Sequence, residues 1–207
     1  NNESLRATAE GIFSEIERNG DQAVAKYTKL FDGVSLNDFK ISKKVIETAA
    51  NTISARLKEA ITVAYNNITS FHEAQQTPDV SVETQLGVHC WQEKRAIEAV
   101  GLYIPGGSAP LFSTVMMLAI PAKIAGCKRV ILCSPPNKKG EIAPEILYTA
   151  QLCGVEDIYA VGGIQAIGAL TFGTQSIPKV DKIFGPGNRY VTAAKQLALQ
   201  FGVAIDM

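Results

Sequence analysis

The sequence lacks a surplus of charge of either sign: Lys plus Arg and Asp plus Glu number 20 each, for a formal net charge of +0. Binding to a phosphate backbone draws on excess cations, at least as a local patch. The basic pairs Lys43-Lys44 and Lys138-Lys139 are short and read as solvated faces, so nucleic acid is not expected as the main partner. Cysteine is also scarce. Cys90, Cys127, Cys133 and Cys153 show no CxxC or zinc-ribbon spacing and read as free thiols, mostly buried, in a reducing compartment. No stretch reads as a secretory signal or as an apolar run long enough to span a bilayer, so a cytoplasmic protein with no membrane partner is expected. The standard nucleotide loops are missing too: neither GxGxxG nor GxxxxGK[ST] occurs.

What is there falls into three parts. Residues 1–78 carry helical periodicity. Leu5, Ile12, Phe13 and Ile16 share a face before Asn19-Gly20, Asp21 is placed to cap a second helix that ends at Asp32-Gly33, and a third stretch follows Ser42. A longer apolar stripe then runs through Leu57, Ile61, Ala64, Tyr65, Ile68, Phe71 and His72. His72 lies on or near that stripe and reads as a core or boundary histidine. Residues 79–98 switch to alternation around Leu86-Gly87 and predict a β-ribbon. His89 lies on it without a second ligand at metal spacing.

From residue 99 to 207 apolar runs alternate with helical segments. Ala99–Ile104, Val130–Cys133, Ile158–Val161, Lys182–Phe184 and Val203–Ile205 are the expected strands. Strands alternating with helices imply βαβ crossovers and a mainly parallel sheet. Every strand-to-helix loop then emerges at the carboxyl edge, where ligands bind. "YIPGGSAP", "VGGIQ" and "FGPGN" are therefore expected to meet there although they are distant in sequence. Glycines in such loops admit close approach of a ligand, and helix N-termini behind them attract phosphates.

Three side chains in those loops are the candidate ligand contacts. Tyr103 offers a ring and a hydroxyl, with half-buried packing as its alternative. Gln165 offers an amide, with a solvent-facing helix position as its alternative. Asn188 offers another, with a helix cap as its alternative. No loop at the cleft edge carries a clear His, Glu or Asp for general-base work. Cys133 ends a strand but has no basic neighbour in sequence and reads as packing. No catalytic residue and no metal ligand is assigned within the 207 residues.

The motifs "VGLYIPGGSAPLFSTVMMLAIPAKIAGCKRVILCSPP", "AVGGIQAIGALTFGT" and "PKVDKIFGPGNRYVTAAK" resemble histidinol dehydrogenase, and the likeness extends from the N-terminal helices, including "SFHEAQ", to the last residue. The resemblance implies an α/β, Rossmann-like mainly parallel sheet of the aldehyde dehydrogenase type, preceded by the helical region and the ribbon. It implies a homodimeric enzyme that oxidises L-histidinol through L-histidinaldehyde to L-histidine with two NAD and a Zn2+ ion. Carried over by motif, its NAD-contacting residues are Tyr103, Gln165 and Asn188. Its zinc ligands and Glu-His acid/base pair belong to a segment beyond "AIDM". The expectation is therefore a fragment, the cofactor-side half, inactive alone. The competing expectation is a nucleotide-binding α/β module whose chemistry comes from another chain.

Overall fold

The computed structural model describes residues 2–107 and 109–206. Helix α1 (Asn2–Asn19) buries Ala9, Ile12, Phe13 and Ile16, positions spaced three and four apart on one face. Helix α2 (Asp21–Phe31) follows at once. Its N-cap is Gly20 rather than Asp21. The Asp21 carboxylate instead accepts a hydrogen bond from the Ser176 hydroxyl at 2.5 Å, because a side chain already inside the first turn points away from the free amides it would have to cap. Helices α3 (Lys43–Ala49) and α4 (Ala55–Ala74) are capped by Ser42 and Ser54, whose hydroxyls accept from the Val45 and Leu57 amides.

The long apolar stripe of α4 is only partly used. Ile61 is buried, Leu57, Ala64, Tyr65 and Ile68 are half-buried, and Phe71 is 64% exposed. His72 sits at the boundary, with its Nδ1 2.7 Å from Gln75 Oε1. The ribbon forms as expected: β1 (Val80–Gln85) pairs antiparallel with β2 (Val88–Gln92) around Leu86-Gly87, and every residue of both strands is exposed.

The remaining chain is regular α/β. Strands β3 (Ala99–Tyr103), β4 (Arg129–Ser134), β5 (Asp157–Ala160), β6 (Lys182–Phe184) and β7 (Ala204–Ile205) form one wholly parallel sheet in the order β5-β4-β3-β6-β7. Helices α5 (Phe112–Ile124), α6 (Pro144–Leu152), α7 (Gly163–Phe172) and α8 (Arg189–Ala198) make the connections. The chain therefore leaves β3 in one direction and returns to its other side at β6. That reversal opens a crevice at the carboxyl ends of the strands, where doubly wound sheets bind ligands.

Both sheet faces are covered, as an all-parallel sheet requires. Alternation along the strands sorts the two cores. Ile131, Cys133, Tyr159 and Ile183 face α1, α2, α7 and α8, whereas Val100, Leu102, Leu132 and Ile158 face α3, α4, α5 and α6. Helices α1 and α7 approach closely at Gly168, where a Cβ would lie 2.8 Å from Ile16 Cδ1.

Phe13 anchors that contact, edge-on to Phe172 with ring centroids 5.6 Å apart. Phe13→Ala should cost about 3–5 kcal/mol of unfolding free energy. Urea denaturation checks this, and a loss below about 1 kcal/mol would contradict the packing described.

Candidate functional site

The crevice at the carboxyl edge is a cavity of about 870 Å³, within the usual size range for small-molecule and cofactor sites. Its wall includes Tyr103 and Gly106 after β3, Ser134 and Pro135 after β4, Gly163 and Gln165 after β5, and Asn188 after β6. The three expected loops do meet, and the Ser-Pro-Pro loop after β4 joins them as a fourth. Asp32, at the end of α2, closes the side formed by the N-terminal helices.

Tyr103 is almost fully buried, and its hydroxyl accepts a hydrogen bond from the Gly163 amide at 3.2 Å. Burial pushes its phenol up to about 12, against the smaller opposing effect of that amide. The group is thus a neutral phenol at physiological pH, with its own proton available to donate. It is more than packing, since it ties the loop after β3 to the start of α7.

Gln165 is the clearest case of a side chain in the wrong place for a bland role. It is fully buried rather than solvent-facing. Its Nε2 donates to Asp32 Oδ2 at 3.1 Å, while its Oε1 is buried without a hydrogen-bond partner. An unpaired buried carbonyl costs free energy comparable to a lost hydrogen bond. Such a group on a cavity wall is suited to a ligand donor. Gly163 makes room for it: its φ is +62°, and a Cβ there would come within 2.8 Å of Oε1.

Asn188 does what its alternative reading says. Its Oδ1 accepts from the Tyr190 and Val191 amides at 2.9 and 3.1 Å and caps α8. It also lines the cavity, so what remains for a ligand is its amide nitrogen. The neighbouring turn is forced by Gly185, whose φ is +125° and whose Cβ, if present, would overlap the Tyr103 carbonyl oxygen. Helix α7, whose first residues Gly163, Ile164 and Gln165 line the cavity, begins without a side-chain cap, which leaves backbone N–H groups beyond that of Gly163 at the cavity rim for an anion.

The expectation that no loop at the cleft edge carries a clear His, Glu or Asp is corrected at Glu141, in the loop after β4. Asp32, Glu141 and Glu145 line the cleft, and among the described residues no Lys, Arg, His or Cys does. Asp32 was legible in the sequence only as a helix stop. Burial raises its carboxyl above the ordinary value, opposed by the Lys138 charge and the Gln165 hydrogen bond. Lys138 also donates to the Asp32 main-chain oxygen at 2.8 Å, fastening the loop after β4 to the end of α2. Cys133 is sealed in the core, and burial pushes its thiol far above the thiolate range. His72 and His89 lie outside the cavity wall.

A family model described as histidinol dehydrogenase matches residues 1–207. The chain is 55% identical over 207 residues to a histidinol dehydrogenase of Bacteroides thetaiotaomicron, covering 100% of this chain and 48% of that protein. It is 56% identical to one from Escherichia coli K12, covering 99% and 47%. A crystal structure of histidinol dehydrogenase from Elizabethkingia anophelis superposes with a TM-score of 0.96 at 55% identity, over 98% of this chain and 47% of that one. The chain spans about half the length of the curated relatives it matches.

The Asp32 geometry sets a pH dependence. Because burial raises its carboxyl, the folded state holds that proton more tightly than the unfolded state does. The associated stability is complete below the ordinary carboxylate value and is lost as pH rises through the raised one. Asp32→Asn should therefore gain in melting temperature relative to the parent between about pH 4 and about pH 7. Parallel melting curves across that window would contradict the assignment.

Proposed function

The chain belongs to the histidinol dehydrogenase family, and from that premise we propose that it forms the cofactor side of an NAD-dependent enzyme of histidine biosynthesis. The reaction is oxidation of L-histidinol to L-histidinaldehyde and then to L-histidine, with one NAD consumed in each step. The single observation that carries the cofactor assignment is Gln165: a residue lining the cavity at the sheet reversal whose buried amide leaves Oε1 without a partner.

The residues present fit a dinucleotide. Gln165 Oε1 would accept from a cofactor hydroxyl or amide, the Tyr103 hydroxyl would donate, and Asn188 would offer its amide nitrogen. The uncapped start of α7 suits a pyrophosphate better than the side chains do, because among the described residues the charged groups on the wall are carboxylates. Bound NAD supplies the hydride acceptor. These 207 residues contribute binding and orientation, with Tyr103 holding a proton at its hydroxyl and Asp32 holding Gln165 in place.

Zinc is a different matter. Among the described residues no group of three His, Cys, Asp or Glu side chains is placed to hold a metal ion. Asp32, Glu141 and Glu145 share the cavity wall but do not make such a set. The donors of this stretch do not fit the ion. A homodimer in the cytoplasm completes the proposal. Its support is the exposed ribbon, where Val80, Val82 and Val88 lie on one face, Trp91, 71% exposed, on the other, and Leu86, 98% exposed, at the turn, apolar side chains suited to a second copy. No helix among the described residues is long and apolar enough to cross a membrane.

Tyr103→Phe and Gln165→Leu should each weaken NAD binding about tenfold, the equivalent of one lost hydrogen bond, as read by calorimetry; unchanged affinity in both would refute the assignment. Assayed alone with histidinol and NAD, with or without added zinc, the 207-residue chain should form no NADH above background. Histidinol-dependent NADH would show that chemistry resides here after all.

A further inference from the structure

Lys195 is a charged side chain with no place in the cavity wall, yet it is 7% exposed in the middle of α8. Its ammonium donates to the Gly185 carbonyl at 2.9 Å and pairs with Asp206 Oδ1. The other carboxylate oxygen of Asp206 accepts from the Gly185 amide at 2.9 Å. One ion pair thus holds both polar groups of a single residue. Asp206 reaches it from the neighbouring strand, since its own amide donates to Ile183 O at 3.2 Å and continues the β6–β7 pairing.

We propose that Lys195 and Asp206 are positioning residues that clamp the Gly185–Asn188 turn in the shape that receives the dinucleotide, acting through the loop and touching no ligand themselves. Three observations converge. Gly185 is the residue of that turn pressed against the Tyr103 main chain, with a positive φ that only glycine adopts readily. Asn188, three residues on, lines the cavity and starts α8, the helix that carries Lys195. A buried ion pair is also a poor source of stability, because well-packed apolar residues of similar volume often serve as well. What an apolar pair cannot do is donate to the carbonyl of one residue and accept from its amide. The clamp's chemistry therefore matches a requirement of geometry.

This inference rests on reading the cavity as the NAD site, and the experiment separates the two. In the full-length protein, Lys195→Met, Asp206→Ala and Asp206→Asn are compared at a temperature well below each variant's melting midpoint. NAD affinity, KM for histidinol and amide hydrogen exchange of Gly185, Gly187 and Asn188 are measured. Lys195→Met and Asp206→Ala should weaken NAD binding about tenfold and speed exchange at those amides by at least about tenfold, with KM for histidinol unchanged. Asp206→Asn, which keeps an acceptor for the Gly185 amide but turns a donor toward the Lys195 ammonium, should lose less than Asp206→Ala in both. Parental NAD affinity in the first two variants would overturn the proposal. So would parental exchange rates in the turn, or an Asp206→Asn as weak as Asp206→Ala. A parent protein that itself fails to bind NAD would refute the cofactor reading instead, and the exchange rates would still decide the clamp.

Discussion

The contact between Gly185 and the Tyr103 main chain is the constraint on which the site depends. Strands β3 and β6 lie side by side and parallel, with Leu102 in register with Phe184, so the chain leaving β6 must pass directly over the end of β3. Only a residue without a Cβ can make that passage at the spacing observed. Once it is made, the rest of the edge is determined. Tyr103 can reach the start of α7, the turn after β6 can start α8 through Asn188, and the cavity opens where the sheet reverses direction. The alternation that sorts Val100 and Leu102 to one core and Tyr103 to the other fixes which way each loop departs.

The electrostatics of the cavity follow a different logic from nucleotide sites built on lysine. No cationic side chain lines it among the described residues, and its three carboxylates would repel a phosphate brought close to them. Attraction for an anion has to come from backbone amides at helix starts, whose charge is partial and fixed in direction. The polar side chains serve recognition by hydrogen bonds. Tyr103 is a neutral phenol that burial moves further from ionisation, and Gln165 is held by Asp32 with its carbonyl oxygen unpaired. A site of this kind selects by shape and hydrogen-bond pattern more than by charge.

Much of this was legible in the sequence because the signals are local. Alternation of apolar runs with helical periods located every strand of the parallel sheet to within two residues, and glycine-rich segments marked three of the loops that meet. Tyr103, Gln165 and Asn188 could be picked out because each stands at a strand end or a helix start. What could not be read depends on packing between distant segments. Asp32 enters the cavity only because α1 and α2 lie against α7, and nothing at residues 31–33 announces a partner at residue 165. The Lys195–Asp206 pair is equally silent, since a lysine in a helix reads as solvent-facing until the next strand covers it. Phe71 erred the other way, fitting a helical stripe of which this chain buries only part. Asp21 and Asn188 show that a cap is decided by one position: the residue before the helix caps it, and the first residue within it does not.

The most direct test of the account is a titration of the isotopically labelled 207-residue chain with NAD, followed by backbone amide chemical shifts. Saturable shifts are expected at Tyr103, Gly106, Gly163, Gln165, Gly187 and Asn188, with the ribbon of β1 and β2 unaffected. Shifts confined to the ribbon or to α4, or none at NAD concentrations in the millimolar range, would contradict it.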